Sequence, residues 1–120
     1  MLKFYQYPRC STCVKARKWL QANEIQFTSI QMVEHPPSME QIQKIHERSE
    51  QPIKKLFNTS GQSYRQGDFK NRLAEMSLAD CYQALAADGK LIKRPLLVSD
   101  AWVLIGFKEA QWQNTVLKTE

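Results

Sequence analysis

The first thirty residues combine two short apolar runs with one amphipathic stretch between them. Residues 2–7 form a short run rich in aromatic side chains, which is typical of a β-strand. Residues 14–22 contain no glycine or proline and several strong helix formers, so a helix is predicted there. Residues 25–30 begin with an alternation of apolar and polar side chains, which indicates a second strand. This order predicts a parallel β-α-β unit with a right-handed crossover.

The middle of the chain, from about residue 32 to residue 90, has the pattern of several short helices. Pro36 and Pro37 interrupt the chain, and Ser38 with Gln41 resembles a capping box that opens a helix. The predicted helices cover residues 39–48, 52–57, 69–76 and 77–88. The inward face predicted for the last helix consists of Leu78, Cys81, Tyr82 and Leu85.

The last part of the chain returns to extended segments. Residues 96–98 are apolar and follow a proline, which predicts a buried strand, and residues 102–105 predict a second strand joined to it as a hairpin. Residues 108–117 predict a closing helix. The whole order, βαβ, helical block, ββα, predicts one α/β domain over residues 1–120. Its four-stranded mixed sheet carries the helical block as an insert between the second and third strands.

The strongest chemical signal is Cys10-Ser11-Thr12-Cys13, which lies between the first predicted strand and the first predicted helix. A CxxC in this place is typical of thioredoxin-like redox proteins, so the predicted fold class is α/β with a thioredoxin-like fold. Residues three apart on a helix have Cβ atoms about 5–6 Å apart, and a disulfide needs about 3.5–4.5 Å. A small adjustment would therefore close the bond. The backbone N–H groups of Ser11 and Thr12 at the helix start are candidates for binding an anion.

The two cysteines have different predicted roles. Unpaired N–H groups and the helix dipole lower the pKa of a cysteine at a helix N-terminus, and Arg9 and Lys15 add positive charge nearby. Cys10 is therefore predicted to be the attacking thiolate. Cys13 shares an apolar helix stripe with Leu20, which predicts a buried sulfur that resolves a mixed disulfide formed at Cys10.

The composition limits the expected compartment and partners. The net charge of +5 comes from 17 Lys and Arg against 12 Asp and Glu, and the basic residues are dispersed, so direct nucleic-acid binding is not expected. The longest apolar run covers only residues 101–105, so no membrane span is expected. Three cysteines, an odd number, favour a reducing compartment. We expect a cytoplasmic monomer.

A metal site is not expected either. Two cysteines would need two further ligands, and the candidates His35, His46 and Cys81 lack ligand spacing. Cys81 lies on the apolar face of its predicted helix and is expected to be a buried, inert thiol.

Four segments carry a resemblance to a known family. They are Tyr7-Pro8-Arg9-Cys10-Ser11-Thr12-Cys13, Leu56-Phe57-Asn58-Thr59-Ser60-Gly61, Lys93-Arg94-Pro95 and Val103-Leu104-Ile105-Gly106-Phe107. In this order they resemble the arsenate reductase-like family that includes the Spx and MgsR transcription regulators. The resemblance implies a thioredoxin-like core with a helical insert and a cis-proline, Pro95, that faces the active cysteine.

The resemblance also implies an anion-binding role for Arg94. In family members that reduce arsenate, the first cysteine attacks the oxyanion and three arginines hold it. Arg94 matches one of these arginines, whereas the other two would fall near Asn58 and Phe107.

These observations lead to one functional hypothesis and two alternatives. The first is a cytoplasmic thiol–disulfide oxidoreductase that has no tightly bound cofactor and is reduced by glutathione, glutaredoxin or thioredoxin. The resemblance implies a redox-sensing regulator that binds the RNA polymerase α-subunit as an alternative. In Spx a glycine of the early helical block marks the polymerase surface, and this chain has no glycine between Ser11 and Ser60. The second alternative is a glutaredoxin-dependent arsenate reductase, for which we expect little activity because two arginines are missing.

Overall fold

The computed structural model describes residues 2–118, which form one mixed sheet with helices on both faces. Its strands are β1 Leu2–Gln6, β2 Phe27–Gln31, β3 Leu96–Val98 and β4 Val103–Ile105. Their order in the sheet is β2-β1-β3-β4. The β1–β2 pair is parallel, and the β1–β3 and β3–β4 pairs are antiparallel. The predicted α/β class, the mixed sheet and the closing hairpin are confirmed.

Most helical segments fall where the sequence pattern predicts them, but the pattern predicts no helix over residues 62–66, where the structure has one. The α-helices are α1 Ser11–Ala22, α2 Met39–Ser49, α3 Gln62–Gln66, α4 Phe69–Arg72, α5 Leu78–Ala87 and α6 Glu109–Trp112. Short 3₁₀ turns cover Ile53–Leu56, Leu73–Glu75 and Gly89–Leu91, and a π-helical turn, Gln113–Leu117, continues α6. Every named element between β2 and β3 is an α-helix or a 3₁₀ turn. Across residues 2–118, no helix combines the length and the apolar character that a membrane span requires.

The core is divided between the two faces of the sheet. Phe4 and Leu97 face a cluster with α1 and α6, in which Trp112 is fully buried. Their neighbours Tyr5 and Leu96 face the opposite cluster, which is built largely from the helical insert. Successive strand residues point to opposite faces, so one strand supplies both clusters. The central strand β1 is held firmly from both sides, and it leads directly into the CxxC.

Helix α1 is anchored to the first of these clusters. Its buried face consists of Cys13, Ala16, Trp19 and Leu20. The Trp19 ring meets the Trp112 ring edge-on, with centroids 5.9 Å apart. Such aromatic pairs are worth about 0.5–1.5 kcal/mol beyond the area that they bury. The packing fixes the rotation of α1 and points Cys13 inward.

Two further details of the predicted elements are wrong. β2 begins at Phe27, because the Ile25 N–H donates to the Leu20 carbonyl at 3.0 Å and Glu24 turns the chain with φ 57°. Leu78 is not part of the buried face of α5, since it is 51% exposed, whereas the rest of the predicted face is buried. Leu78 opens α5 and Met39 opens α2, and both line a surface groove before the buried stripes of their helices begin.

Candidate functional site

The CxxC lies where β1 leads through a short loop into α1. Cys10 is the N-cap residue of α1, one position before the first helical residue. Its N–H donates to the Tyr7 carbonyl at 3.0 Å, which closes the loop. Its Sγ accepts a hydrogen bond from the Cys13 N–H at 3.3 Å. A sulfur therefore takes the place that a serine or aspartate oxygen usually has at a helix N-cap.

The surroundings of Cys10 favour its thiolate form. Partial burial raises the pKa of the Cys10 thiol. Hydrogen bonds from the Cys13 side chain and backbone N–H, together with the charge and hydrogen bond of Arg94, lower this pKa by a larger amount. The net result is a pKa below the ordinary thiol value. Because the thiolate is the nucleophile in thiol chemistry, these contacts make Cys10 the candidate nucleophile of the site.

Cys13 has the opposite character. Its side chain is 2% exposed, as its place on the buried stripe of α1 predicts. Burial and the hydrogen bond to Cys10 raise the pKa of Cys13 to about 12. Cys13 is therefore the less acidic of two neighbouring thiols, and Cys10 is the more acidic one. All three cysteines of the chain are free in this structure.

Arg94 reaches the CxxC from the loop that precedes β3. Its guanidinium lies 5.1 Å above the centre of the Tyr7 ring, and one of its N–H groups donates to the Lys90 carbonyl at 3.5 Å. Its charge lowers the pKa of both Cys10 and Cys13. The Arg94–Pro95 peptide bond is cis, in agreement with what the resemblance implied. The tertiary fold thus brings the predicted anion-binding arginine to the predicted nucleophile.

Ser11 and Thr12 occupy the first two positions of α1 and are exposed. The first N–H groups of a helix have no carbonyl partner within it, and the first turn of α1 contains no acidic residue. This end of the helix is therefore electropositive and open to solvent. Together with Arg94 it could hold an anionic group of a substrate next to the Cys10 sulfur.

The two positions that lack an arginine have structural surroundings of their own. Phe107 packs edge-on against Trp112, with ring centroids 4.8 Å apart, and it lies at the border of the aromatic cluster. Asn58 joins two loops, because its N–H donates to the Leu91 carbonyl at 2.8 Å. Of these three positions, only Arg94 supplies a positive charge that acts on the Cys10 sulfur.

The third cysteine belongs to another region. Cys81 is buried in the core cluster of the insert, where desolvation and the neighbouring Asp80 raise its pKa. His46 is bonded there as well, with its Nδ1 2.6 Å from the Tyr82 hydroxyl. Among residues 2–118 no group of three or more His, Cys, Asp or Glu side chains is arranged to hold a metal ion.

Tyr7 is a part of the site that sequence reasoning missed. The sequence pattern placed Arg9 and Lys15 beside the thiol as the local cations, and it gave the Tyr7 ring no role. An aromatic residue three positions before the first cysteine was the available signal. Its meaning depends on Arg94, which lies far away in the sequence.

The geometry of this site agrees with the comparison of the sequence with known families. The model of the ArsC family matches residues 5–115. The chain belongs to the ArsC family. The match runs from Tyr5, near the end of β1, through the CxxC, the helical insert and the Arg94–Pro95 loop, so all the site residues described above lie inside the ArsC-family region.

Individual relatives cover nearly the same region. The chain is 45% identical to the uncharacterized protein YusI of Bacillus subtilis over 113 residues, which is 94% of this chain and 96% of YusI. It is 27% identical to the regulatory protein MgsR of the same organism over 92% of this chain and 86% of MgsR. A crystal structure of an ArsC-family-related protein from Bacteroides fragilis superposes with a TM-score of 0.91 at 42% identity, covering 94% of this chain and 95% of that one.

Proposed function

We propose that this ArsC-family protein is a cytoplasmic thiol–disulfide oxidoreductase in which Cys10 attacks and Cys13 resolves. The observation that carries the proposal is the contrast between two adjacent sulfurs. The pKa of Cys10 is lowered and the pKa of Cys13 is raised, and the Cys13 N–H bonds the Cys10 Sγ at 3.3 Å. A low-pKa attacking thiol with a buried partner one turn away is the arrangement that thiol–disulfide exchange requires.

In the first step the Cys10 thiolate attacks one sulfur of a substrate disulfide. A bond forms between Cys10 and that sulfur, the substrate S–S bond breaks, and the other sulfur leaves as a thiolate that takes a proton from solvent. The Arg94 guanidinium and the free N–H groups at the start of α1 would orient an anionic substrate such as glutathione disulfide.

In the second step Cys13 must lose its proton. Its high pKa results partly from its hydrogen bond to Cys10 and from the charge of that thiolate. Once Cys10 is part of a mixed disulfide, both of these effects disappear, while the charge of Arg94 still lowers the Cys13 pKa. The Cys13 thiolate then attacks the Cys10 sulfur, the Cys10–Cys13 disulfide forms, and the second substrate thiol leaves. Two electrons from glutathione, glutaredoxin or thioredoxin restore the dithiol, and no tightly bound cofactor is required.

The test is to trap the intermediate. Cys13→Ser, treated with glutathione disulfide, should accumulate a stable mixed disulfide at Cys10 that mass spectrometry locates on the peptide with this residue. The wild-type protein should instead form the intramolecular Cys10–Cys13 disulfide. If Cys13→Ser carries no adduct at Cys10, or if the oxidised wild type contains no Cys10–Cys13 link, the proposed function is wrong.

A second candidate function is redox-sensing transcriptional regulation, and the similarity to MgsR is the observation that favours it. In this reading the Cys10–Cys13 disulfide would change a surface that binds the RNA polymerase α-subunit, as the family resemblance implies. A pull-down with the C-terminal domain of the α-subunit, on oxidised and on reduced protein, tests this candidate. Binding that depends on the redox state would support it, and the lack of binding in both states would exclude it.

Arsenate reduction is the third candidate, and the family resemblance is its support. Arg94 could make a bidentate contact with the oxyanion. Asn58 and Phe107 supply no charge, and each charge-assisted bond that is missing is worth roughly 1.5–3 kcal/mol. We therefore expect little or no arsenate-dependent turnover with glutathione and glutaredoxin. Turnover that disappears in Cys10→Ser would show that arsenate is a substrate.

A further inference from the structure

No carboxylate among residues 2–118 forms an ion pair with Arg94. Within residues 2–118 the ion pair that the structure contains joins Lys44 to Glu40, far along the insert. The guanidinium of Arg94 instead contacts the Tyr7 ring and the Lys90 carbonyl. Its charge and hydrogen bonding also lower the pKa of the Cys10 thiol. The Lys90 hydrogen bond is long at 3.5 Å, so the ring is the main rigid surface against which the side chain rests.

The Tyr7 ring and the Cys10 sulfur belong to the same short loop. The Tyr7 carbonyl accepts the Cys10 N–H at 3.0 Å, which fixes the distance between the two residues through the backbone. A guanidinium that stacks on this ring is thereby placed relative to the sulfur as well. An arginine without such a contact would spread its charge over many rotamers, because its long side chain has a large rotamer entropy.

We propose that Tyr7 is a positioning residue, whose ring holds the Arg94 guanidinium beside the Cys10 sulfur. This role rests on the proposed function, because it concerns the activation of the same nucleophile. The proposed role belongs to the ring alone, because the backbone of Tyr7 bonds the CxxC whatever its side chain is. Its ring acts through Arg94, so removing the ring should matter only while the arginine is present. The hydroxyl group plays no part in the contact, so phenylalanine should replace tyrosine without loss.

The experiment measures the thiolate fraction of Cys10 by ultraviolet absorbance of the reduced full-length protein as a function of pH. The raised pKa values of Cys13 and Cys81 keep these thiols protonated below about pH 8, so the signal there belongs to Cys10. The proteins are wild type, Tyr7→Leu, Tyr7→Phe, Arg94→Gln and the double variant of Tyr7→Leu with Arg94→Gln. Because a half-exposed cation–π contact is worth about a factor of two to five, Tyr7→Leu should lower the thiolate fraction by about that factor.

The matched variants separate a positioning role from a merely structural one. Tyr7→Phe should keep the wild-type titration, and in the Arg94→Gln background Tyr7→Leu should cause no further loss. An unchanged titration in Tyr7→Leu would overturn the proposal, and so would a loss of equal size with and without the arginine. If Tyr7→Leu does not fold, as judged by circular dichroism, Tyr7→Gln serves as the second ring-deletion variant with the same expected loss.

The outcome also distinguishes this inference from the proposed function. A wild-type Cys10 that titrates like an ordinary thiol would overturn both of them. A lowered wild-type pKa with normal formation of the Cys10–Cys13 disulfide, but with no effect of Tyr7→Leu, would overturn only the role of Tyr7. A confirmed effect of Tyr7→Leu together with no mixed disulfide in Cys13→Ser would leave the role of Tyr7 standing and remove the oxidoreductase.

Discussion

The N-termini of α1 and α5 are built alike but differ in the atom that closes them. At α5 the Ser77 hydroxyl accepts the Asp80 N–H at 3.0 Å, and the Asp80 carboxylate accepts the Ser77 N–H at 3.3 Å. At α1 the Cys10 Sγ accepts the Cys13 N–H at 3.3 Å, and no carboxylate lies in the first turn. The N-terminus of α5 is therefore a complete capping box, whereas the N-terminus of α1 is capped by a reactive sulfur atom.

The nearby cysteines show the consequence of this difference. Cys81 follows Asp80 in α5, and burial together with that carboxylate raises its pKa. Cys10 has an arginine and a backbone N–H in place of the carboxylate, and its pKa is lowered. At α1 the cysteine sulfur itself caps the helix, and the pKa of that thiol is lowered. At α5 the Ser77 hydroxyl caps the helix, and the nearby Cys81 is a buried thiol with a raised pKa.

The comparison of Cys10 with Cys81 predicts its largest effect on the rate of thiol–disulfide exchange when Cys10 itself is replaced. Cys10→Ser should lose thiol–disulfide exchange to the level of the uncatalysed reaction, because a serine hydroxyl is not ionised at neutral pH. Cys81→Ala should keep the wild-type rate, since Cys81 is buried in the insert. The measurement is the rate at which a glutathionylated peptide is reduced. Residual turnover in Cys10→Ser would show that another group attacks.

The next effect in size is expected from the cation. Arg94→Gln removes the charge and weakens the hydrogen bond that favour the Cys10 thiolate. A hydrogen bond to a charged group is worth about 1.5 kcal/mol at the low end, so the thiolate fraction below the pKa should fall roughly ten-fold. Alkylation with iodoacetamide at several pH values measures it. Arg94→Lys is the matched control, and it should recover part of the loss. An unchanged rate in Arg94→Gln would contradict the assigned electrostatics.

A carboxylate placed in the first turn of α1 should make this end resemble α5. Thr12→Glu adds a negative charge close to Cys10, whereas Thr12→Gln adds the same bulk without charge. At about 6 Å in a watery surrounding, such a charge costs the thiolate about 0.7 kcal/mol, or roughly three-fold in its fraction. The expected loss should shrink at high salt. Equal alkylation rates for the two variants would argue against an electropositive helix end.

The smallest effect is a pH dependence of stability. The folded-state pKa of Cys10 lies below its unfolded value of about 8.5, so its thiolate stabilises the fold fully above that value. This contribution is lost as the pH falls through the folded-state pKa. The difference in unfolding free energy between reduced wild type and Cys10→Ser should therefore grow, in favour of the wild type, from about pH 5 to pH 9. Urea denaturation measures this difference.

The matched control for this slope is a cap that does not titrate. Ser77→Ala should cost α5 about 1 kcal/mol at each pH, because a hydroxyl cap carries no charge. If the Cys10→Ser difference stays as flat as the Ser77→Ala difference, the lowered pKa of Cys10 is contradicted.

Local sequence patterns predicted much of this molecule. The helix start after Cys10, the buried stripe with Cys13 and Leu20, and the capping box at Ser38 all depend on residues within one or two turns of each other. The strand pattern of the sheet followed from alternation in short runs. Leu78 shows where this reasoning fails, because helical periodicity gives the face of a residue but not whether a neighbouring element covers that position.

What the chain determined by itself is therefore local: a CxxC at the start of a helix, strands of period two, and a helical block between them. The tertiary structure decided which cation reaches the thiol. Sequence proximity favoured Arg9 and Lys15, but the fold brings Arg94 onto the Tyr7 ring, from which its charge lowers the pKa of Cys10. The physical reason is that burial and charge act through space, and the strand pairing of β1 with β3 sets which distant residues become neighbours.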